Sequence, residues 1–589
     1  VACRLGSARR PAGRRVSRFA RFAEARSVAG MAVPALRALA GAGMLKPLPP
    51  VRALKALSAA RALGLGAAAG CAVSAARDPH CPAVIDERGS ITFAELNERA
   101  ERIAAALRRE HGIGPGRALA VMCRNHRGFV EAMLTASRLG ADLLLLNTDF
   151  PGPQLAQALA PHAPGAIVHD EEFDAALDAA ASIRPTSVLP EARATTAEQD
   201  ASVAPPARIL AWHDTDPPPD VPTLDRLAAA GASAPKPPPP PTPGRLVILS
   251  SGTTGAPKGA AREPSPSAVL GPLTTLLEQL KPHAGDPIVI GPPVFHGFGL
   301  AFLGLALFVG APVVLRRRFD PRWALEAIER HRATHLVGVP VMLQRILALS
   351  GGRGPSHARR DTSSLRAAAS AGAPLAPDVA TAFMDTFGEI LFDLYGSTET
   401  GFASLAGPAD LRAAPGTVGR APRGVTIAVL DEQRRPVRPG AVGTVFVGSG
   451  LVFDGYSGGG SREVAGGLMN IGDVGHLDAA GRLFVDGRED DMILSGGENV
   501  YPQEVEDLLA GHPQLLDAAV IGVEDPDFGQ RLQAFAVPLD GQQVTEEQLT
   551  AYLRERLARY KLPREVVFLD AIPRNPTGKV LKRELRAAT

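Results

Sequence analysis

A short apolar run near the middle of the chain leads directly into a loop rich in hydroxyl groups and glycine. The run Arg-Leu-Val-Ile-Leu at residues 245–249 is typical of a buried strand, and the next ten residues read Ser-Ser-Gly-Thr-Thr-Gly-Ala-Pro-Lys-Gly. Glycine lets backbone amides turn towards an anion, while the hydroxyl groups and Lys258 add donors and positive charge. Residues 250–259 therefore predict a phosphate-binding loop at the end of a strand.

This loop differs from a phosphate loop of the Walker type. A Walker loop has Gly before its Lys and Ser or Thr after it, whereas Pro257 precedes Lys258 here and Gly259 follows it. A nucleotidase with a Walker loop is therefore disfavoured. A flexible linker is the other interpretation of such a run, and the length of the run and its place after a strand argue against it.

Predicted strands and helices alternate upstream of the loop. Residues 83–86, 90–93 and 118–122 have strand-like apolar patterns, and helices are predicted from Ala94 onwards and over residues 126–139. Such alternation favours α/β layers with a mainly parallel sheet. The chain has 589 residues, which is too many for one hydrophobic core, so we expect several structural units.

Net charge and cysteine content exclude several classes of protein. Lys and Arg total 63 against 61 for Asp and Glu, so the formal net charge of +2 gives no global field for nucleic acid. The four cysteines show no CxxC spacing, which favours a reducing compartment and no zinc site. We therefore expect a cytoplasmic protein that binds phosphate locally and binds no nucleic acid, with membrane association as an alternative.

Two basic segments precede the α/β pattern. Residues 1–30 contain eight arginines and one acid, Glu24, a composition that resembles a transit peptide; we favour a disordered or non-native leader, with the protein beginning at or near Met31. Residues 31–76 alternate Ala and Leu with isolated Arg and Lys, the pattern of a basic amphipathic helical segment. We expect a helix packed on the surface, and a peripheral membrane contact is the alternative.

The phosphate loop also resembles the AMP-binding signature of the adenylate-forming superfamily, which includes acyl-CoA synthetases, luciferases and peptide-synthetase adenylation domains. Within the superfamily, the motifs look most like those of bacterial-type medium- and long-chain fatty-acyl-CoA synthetases. Four further segments resemble the family's motifs in the family's order, at residues 394–401, 471–476, 486–493 and 573–581.

The resemblance implies an α/β fold with two domains. A large N-terminal domain with several α/β subdomains would cover residues 77–489, with an extended proline-rich connection at residues 235–243. A small mobile α+β domain would cover residues 490–589 and carry a lysine loop. Asp490 would be the hinge between the two domains.

An ATP site that holds Mg²⁺ is implied as well. The ring of Tyr395 would stack on adenine, Asp473 would bond both ribose hydroxyls, and Arg488 would lie near the ribose. Thr398 would contact the α-phosphate, and Thr398 and Glu399 would hold the metal, which prefers hard oxygen ligands. The implied ATP-binding residues are Ser250, Ser251, Gly252, Thr253, Thr254, Gly255, Lys258, Gly372, Ala373, Pro374, Tyr395, Gly396, Ser397, Thr398, Asp473 and Arg488.

Catalysis is expected to depend on four residues, which are Lys579, His296, Thr398 and Glu399. The ammonium of Lys579 stands on a flexible stem and would stabilise charge that grows between the α-phosphate and the attacking carboxylate. His296 would lie near the carboxylate of the substrate. Amino-acid-activating relatives have an Asp near this position and this chain has none there, which favours a simple carboxylic acid.

The acid and the acceptor are predicted from two further segments. Apolar walls for an acyl pocket would come from Phe298, Gly299 and Phe302, and a medium- or long-chain fatty acid fits such walls. The segment that resembles the lining of the pantetheine tunnel predicts coenzyme A as the acceptor. Its residues are Ser495, Gly496, Gly497 and Glu498.

The predicted reaction is therefore ATP-dependent activation of a fatty acid to an acyl adenylate, followed by transfer to CoA with release of AMP and pyrophosphate. Its partners would be small molecules: the acid, ATP and CoA. One alternative is an adenylate-forming enzyme that loads a carrier protein or activates an aryl acid. A second alternative is a non-catalytic nucleotide-binding interaction protein, suggested by the basic residues 31–76 and the proline tract.

Overall fold

The computed structural model describes most of the chain. The described residues are 31–64, 66–183, 205–251, 257–262, 266–350, 360–397, 400–450, 462–495, 498–525 and 529–587.

Helices in the described residues are mostly short and amphipathic or buried. Their bounds are α1 (31–41), α2 (Pro50–Leu63), α3 (Ala67–Arg77), α4 (Phe93–His111), α5 (Arg127–Leu139), α6 (Gly152–Leu159), α7 (Asp174–Ser182), α8 (Leu224–Ala230), α9 (Pro266–Leu280), α10 (Gly297–Val309), α11 (Pro321–His331), α12 (Pro340–Ser350), α13 (Pro377–Phe387), α14 (Pro408–Ala413), α15 (Pro502–Ala510), α16 (Glu546–Arg554) and α17 (Lys582–Ala587).

Strands alternate with these helices up to α14 and dominate afterwards. Their bounds are β1 (Pro82–Asp86), β2 (Gly89–Thr92), β3 (Ala118–Met122), β4 (Asp142–Leu145), β5 (Ala166–Asp170), β6 (Ala207–Trp212), β7 (Leu246–Ser251), β8 (Pro257–Arg262), β9 (Ile288–Ile290), β10 (Val313–Val314), β11 (His335–Gly338), β12 (Ala367–Ala371), β13 (Leu391–Ser397), β14 (Gly401–Ala406), β15 (Thr417–Gly419), β16 (Val425–Leu430), β17 (Gly443–Ser449), β18 (Val464–Ala465), β19 (Leu468–Leu477), β20 (Leu483–Arg488), β21 (Ile493–Ser495), β22 (Glu498–Val500), β23 (Leu515–Asp525), β24 (Gly529–Pro538) and β25 (Glu565–Phe568).

Two mainly parallel sheets form the large N-terminal part. One has six strands in the order β6-β5-β3-β4-β7-β8, and the other has eight in the order β14-β13-β12-β11-β9-β10-β1-β2. Antiparallel pairing occurs only at their edges, in β7–β8, β13–β14 and β1–β2. The α/β alternation predicted these layers, because a parallel strand needs a crossover helix to return the chain to the same edge.

The core joins these two sheets. Alternate residues of the eight-stranded sheet face opposite ways: Ile288 and Ile290 pack into the core shared with the six-stranded sheet, whereas Val289 packs with α11 and α13. The all-apolar α10 lies in the shared core as well. Among the described residues, no helix is both long and apolar enough to cross a membrane.

Two largely antiparallel sheets complete the fold. The third has the order β15-β20-β19-β17-β16, with β18 paired to β19, and the fourth has the order β22-β21-β24-β23, with β25 on β24. The chain passes from the third sheet to the fourth between Arg488 and Ile493. A large α/β N-terminal domain followed by a small C-terminal domain with its own sheet is thus confirmed as the fold class.

Capping side chains set two helix starts differently from the prediction. The hydroxyl of Thr92 accepts a hydrogen bond from the backbone of Glu95, whose carboxylate accepts one from the backbone of Thr92. This reciprocal cap begins α4 at Phe93, one residue before the predicted Ala94. His126 is the residue before α5 and caps the helix, because its ring nitrogen accepts a hydrogen bond from the backbone N–H of Gly128.

Candidate active site

The carboxyl edge of the eight-stranded sheet gathers most of the described site residues. Tyr395 lies near the end of β13, Gly372 directly follows the neighbouring strand β12, and His296 lies in the segment after β9. The carboxyl ends of parallel strands form one edge of a sheet, which is where α/β proteins bind ligands. The sheet therefore places three distant parts of the sequence around one crevice.

Three of the predicted nucleotide-binding side chains contact one another. The hydroxyl of Tyr395 donates to one carboxylate oxygen of Asp473, and the guanidinium of Arg488 lies 3.5 Å from the other oxygen. Burial raises the pKa of Asp473, and the Tyr395 hydrogen bond and the Arg488 charge oppose that rise. A carboxylate has about four lone-pair sites, so these two contacts leave Asp473 with acceptors for a further ligand.

Lys579 stands in a loop whose backbone is held by its own residues. The side-chain oxygen of Asn575 accepts hydrogen bonds from the backbone of Thr577 and of Lys579, each at 3.0 Å. Gly578 has a φ of +83°, a left-handed conformation that favours glycine. The position of the Lys579 backbone is therefore defined before any ligand binds.

Arg574 ties this loop to the core of the small domain. Its guanidinium makes two hydrogen bonds to the carboxylate of Asp517, at 3.0 and 2.6 Å, and a third to the backbone carbonyl of Gly578 at 2.6 Å. Asp517 is only 7% exposed and lies in β23. This pair was not predicted from the sequence, although an acid near the start of the apolar run at residues 515–523 was a visible signal.

The lysine loop lies against the large domain. A Cβ added to Gly578 would be 3.0 Å from the side chain of Val339, and one added to Gly372 would be 3.8 Å from the carbonyl of Thr577. After burial, the charge of Lys579 is the second cause of the lowered pKa of His296, and the same charge opposes the burial that raises the pKa of Asp473. The structure thus brings the predicted lysine, histidine and aspartate together from three parts of the chain.

His296 presents a neutral imidazole, and no described residue forms a hydrogen bond with one of its two nitrogens. Its Nε2 is buried and has no hydrogen-bond partner among the described residues. Burial, and secondly the charge of Lys579, lowers the pKa of His296 to about 4. At neutral pH the ring therefore carries no charge, and Nε2 is available to a ligand.

The lowered pKa of His296 makes the free energy of unfolding depend on pH in a defined direction. The folded protein binds a proton at His296 only below about pH 4, whereas the unfolded chain binds it below about 6.5. Unfolding free energy should therefore fall as the pH falls from 7 towards 4, by about 2 kcal/mol at pH 5 from this group. The His296→Asn variant should lose less melting temperature than the wild type when the pH is lowered, as measured by circular dichroism.

The exposed His80 provides the control for this measurement. The His80→Asn variant should lose as much melting temperature as the wild type when the pH is lowered from 7 to 5. Equal losses of melting temperature in the His296→Asn variant and the wild type would contradict the assignment.

Aromatic side chains stand beside His296 on the first turns of α10. Phe298 and Phe302 pack edge to face with ring centroids 5.3 Å apart, and Phe302 is buried. A Cβ on Gly299 would be 2.5 Å from the carbonyl oxygen of Pro293, so only glycine allows this approach. The three predicted acyl-pocket residues thus occupy one end of a helix that contains no polar residue.

The predicted hinge lies between the third and fourth sheets. Asp490 is in a short 3-10 turn, Glu489–Asp491, and its carboxylate accepts a hydrogen bond from Arg488 at 2.9 Å. The next residue, Asp491, forms an ion pair of 3.1 Å with Lys582, which follows the lysine loop. The Arg488–Asp490 pair therefore spans the predicted boundary, whereas the Asp491–Lys582 pair lies within the predicted small domain.

Several predicted ligand contacts lie outside the described residues. β7 and β8 pair antiparallel on either side of the phosphate loop, with Ser250 opposite Lys258 and Ser251 opposite Pro257. Ser495 and Glu498 pair across β21 and β22. The predicted residues that the structure does not describe are Gly252, Thr253, Thr254, Gly255, Thr398, Glu399, Gly496 and Gly497.

Asp393 is a buried acid that the sequence analysis missed. It lies two residues before Tyr395 in β13, so both side chains point to the same face. Burial raises the pKa of Asp393 to about 8, and its Oδ1 has no hydrogen-bond partner among the described residues. The neighbouring strand β12 places Ser370 opposite Asp393, and a hydrogen bond with the Ser370 side chain opposes this rise.

Cys123, His126 and Asp170 form a separate buried cluster whose ligand-type atoms lie within 4.8 Å of one another. His126 accepts from the backbone of Gly128 at 3.1 Å and bonds Asp170 at 2.8 Å. Burial raises the pKa of Cys123 well above its ordinary value, which disfavours a thiolate ligand. These contacts make the cluster a support for the start of α5 and the end of β5.

Comparisons with known proteins agree with this architecture. Residues 71–457 match the family described as AMP-binding enzyme, and residues 504–579 match the AMP-binding enzyme C-terminal domain. ATP-bound MatB from Rhodopseudomonas palustris superposes with a TM-score of 0.72 at 28% identity, covering 87% of this chain and 96% of that chain.

Characterised relatives span much of the chain. Feruloyl-CoA synthase of an Amycolatopsis species is 33% identical over 518 residues, which cover 86% of this chain and 96% of that protein. Indoleacetate–CoA ligase of Aromatoleum aromaticum is 33% identical over 501 residues, covering 84% and 92%. A long-chain-fatty-acid–CoA ligase of Mycobacterium tuberculosis is 28% identical over 503 residues, again covering 84% and 92%.

Fold, motif order and relatives lead to the same family. Both family domains occur in this chain in succession, and the sheet edge described above joins residues from each of them. The chain therefore belongs to the AMP-binding enzyme family and is an AMP-forming acid–CoA ligase, which uses ATP, Mg²⁺ and CoA.

Proposed function

We propose that this ligase activates an apolar carboxylic acid with an aromatic ring and passes the acyl group from its adenylate to CoA. The observation that carries the proposal is the edge-to-face pair of Phe298 and Phe302 beside the neutral His296. Aromatic rings packed edge to face stabilise one another beyond the effect of burial. An aromatic ring of the substrate would therefore be stabilised beside these two side chains. Two relatives named for aromatic acids, feruloyl-CoA synthase and indoleacetate–CoA ligase, support the same choice.

A medium- or long-chain fatty acid is the second candidate. It is favoured by α10, which contains no polar residue. A Cβ added to Gly304 in this helix would meet no atom within 4 Å, which leaves room for an alkyl chain. The long-chain-fatty-acid–CoA ligase among the relatives supports this alternative.

In the first half-reaction, we assign the nucleoside to Tyr395, Asp473 and Arg488, and the carboxylate of the acid to Nε2 of His296. A carboxylate oxygen forms a bond to the α-phosphorus of ATP, and the bond from that phosphorus to the bridging oxygen of pyrophosphate breaks. Lys579 stabilises the charge that builds up between the two groups in the transition state. Thr398 and Glu399 would hold Mg²⁺, which when bound would supply positive charge to offset that of the leaving pyrophosphate.

In the second half-reaction, the sulfur of CoA bonds to the acyl carbon, and the bond from that carbon to the phosphate oxygen of AMP breaks. We place the domain boundary at Asp490, with the large domain at residues 77–489 and the small one at 490–589. Rotation there would withdraw Lys579 and bring the segment from Ser495 to Glu498 beside the thiol. Such domain rearrangements are an established way to serve two steps with one site.

A series of carboxylic acids tests which class of substrate the enzyme prefers. We expect benzoate-, cinnamate- and indole-type acids to be turned over with kcat/KM about tenfold above straight-chain fatty acids, because one well-filled pocket is worth about 1–3 kcal/mol. Pyrophosphate release reports the first half-reaction and chromatography of the thioester reports the second. The Phe298→Ala variant should lose this preference, whereas Phe568→Ala, at an exposed position in the small domain, should keep it.

Each other outcome has a defined meaning. Faster turnover of fatty acids would replace the aromatic acid with the second candidate. Adenylate that accumulates without thioester formation would argue for a carrier protein as acceptor. Absence of pyrophosphate release with every acid would favour a non-catalytic nucleotide-binding protein.

A further inference from the structure

The N-terminal helices expose an unusual amount of apolar surface. Among the described residues, thirteen large hydrophobic side chains are exposed, and six of them fall within a short stretch of α1, α2 and the connection between them. Their exposed fractions range from 52% to 70%. These residues, here called the apolar patch, are Val33, Leu36, Leu45, Val51, Leu54 and Leu57.

One face of α2 carries three of these side chains away from the body of the protein. The half-buried side of α2 contains Ala56, Ala59 and Leu63, whereas Val51 and Leu54 are the two most exposed members of the patch. At 100° per residue these two groups lie on different sides of the helix. α2 has no buried residue at all, so its outer stripe is not part of the core.

A rigid base holds this stripe in place. Arg52 donates to the backbone carbonyl of Arg77 at 3.1 Å, and Arg77 donates to that of Gly43 at 2.7 Å. α3 in turn packs closely on α10, since a Cβ on Gly70 would be 3.2 Å from the Cα of Phe308. The apolar patch is therefore presented by fixed helices and is not a loose tail.

The segment that carries the apolar patch has charged residues of one sign only. Residues 31–77 contain no acidic residue. Lys55 and Arg61 lie on α2 itself, beside the exposed stripe. The six basic residues of this segment are Arg37, Lys46, Arg52, Lys55, Arg61 and Arg77.

We propose that the surface of α1 and α2 docks on an anionic lipid bilayer. Apolar side chains beside Lys and Arg, with no acid among them, are the combination that binds the interface of a negatively charged membrane. A second copy fits poorly, because a two-fold interface would bring the same basic residues face to face. Nucleic acid would bind the Lys and Arg side chains through its phosphate groups, but it would make no apolar contact with the exposed leucines.

Docking here would hold the ligase where apolar acids concentrate. α3 connects the docking helices to α10, which carries the predicted acyl pocket. Docking on a membrane does not depend on which acid is the substrate, because the apolar patch lies outside the candidate active site.

Vesicle flotation with the full chain tests the docking. We expect the protein to float with phosphatidylcholine–phosphatidylglycerol vesicles, to bind phosphatidylcholine vesicles weakly, and to be released by high salt. The Val51→Ser/Leu54→Ser/Leu57→Ser variant should lower the partition coefficient about tenfold or more, because it removes apolar contact and keeps every charge. The Lys55→Glu/Arg61→Glu variant should weaken binding to anionic vesicles only.

A matched control comes from exposed valines elsewhere. Val442 and Val464 are 55% and 59% exposed, so the Val442→Ser/Val464→Ser variant should float like the wild type. Activity with a water-soluble acid should be the same in all variants, which checks their folding. Absence of flotation, equal flotation of the triple variant, or a dimer in light scattering that the triple variant breaks would each overturn the proposal.

Discussion

Replacing Lys579 by alanine should lower the rate of adenylation by about a hundred- to a thousandfold, because removal of one preorganised charge at a transition state typically costs that much. ATP binding should be nearly unchanged, since Tyr395, Asp473 and Arg488 remain in contact. Single-turnover pyrophosphate release measures the first quantity and isothermal titration calorimetry measures the second.

Two comparisons isolate this role of Lys579. Thioester formation from a supplied acyl adenylate should be retained in the Lys579→Ala variant, because that step does not use the ammonium in the proposed mechanism. Lys236→Ala removes a positive charge from a side chain that is 81% exposed and should leave both steps intact. Unchanged adenylation in the Lys579→Ala variant would remove Lys579 from the mechanism.

Replacing Arg574 by alanine should lower adenylation by about ten- to a hundredfold, although Arg574 is not expected to touch the substrate. The change removes the bonds to Asp517 and to the carbonyl of Gly578, so the lysine loop loses its fixed position. Misplacement of a catalytic group by about 1 Å is enough for such an effect. The loss should appear in pyrophosphate release and not in thioester formation from supplied adenylate.

A second variant separates positioning from stability. Arg574→Ala leaves the buried carboxylate of Asp517 unpaired, which is itself costly. The Arg574→Ala/Asp517→Asn variant removes that charge and should regain melting temperature while adenylation stays low. The Arg574→Lys variant should recover little of the adenylation rate, because an ammonium cannot make the two parallel hydrogen bonds of a guanidinium. Recovery of adenylation together with melting temperature in the double variant would assign Arg574 a structural role only.

Arg556 offers a comparison within the same domain. Its ion pair with Glu555 lies on the surface, where such pairs contribute little. The Arg556→Ala variant should therefore keep both stability and adenylation close to those of the wild type.

Local pattern was enough to predict most of the architecture. Apolar periodicity and chain length predicted α/β layers, and the motif order predicted a large domain followed by a small one. The start of α4 was wrong by one residue because the reciprocal cap of Thr92 and Glu95 competes with apolar spacing. Such errors are confined to helix boundaries, where a single side-chain hydrogen bond sets the first residue of the helix.

Motif resemblance predicted residue types at the site without their contacts. It named Tyr395, Asp473 and Arg488 separately, but their mutual contacts depend on β13, β19 and β20 meeting in space. The raised pKa of Asp393 was not predicted, because its burial depends on the strands that lie on either side of β13.

The sequence by itself determined the family and the chemistry that such a chain can support, because loops that bind phosphate and carry a catalytic lysine need particular residues at consecutive positions. Tertiary structure alone decided that His296 is neutral, that Arg574 anchors the loop of Lys579, and that no described residue buries Val51 and Leu54 on the outer side of α2. Each of these depends on burial or on contacts between residues far apart in the chain, and neither quantity can be read from neighbouring residues.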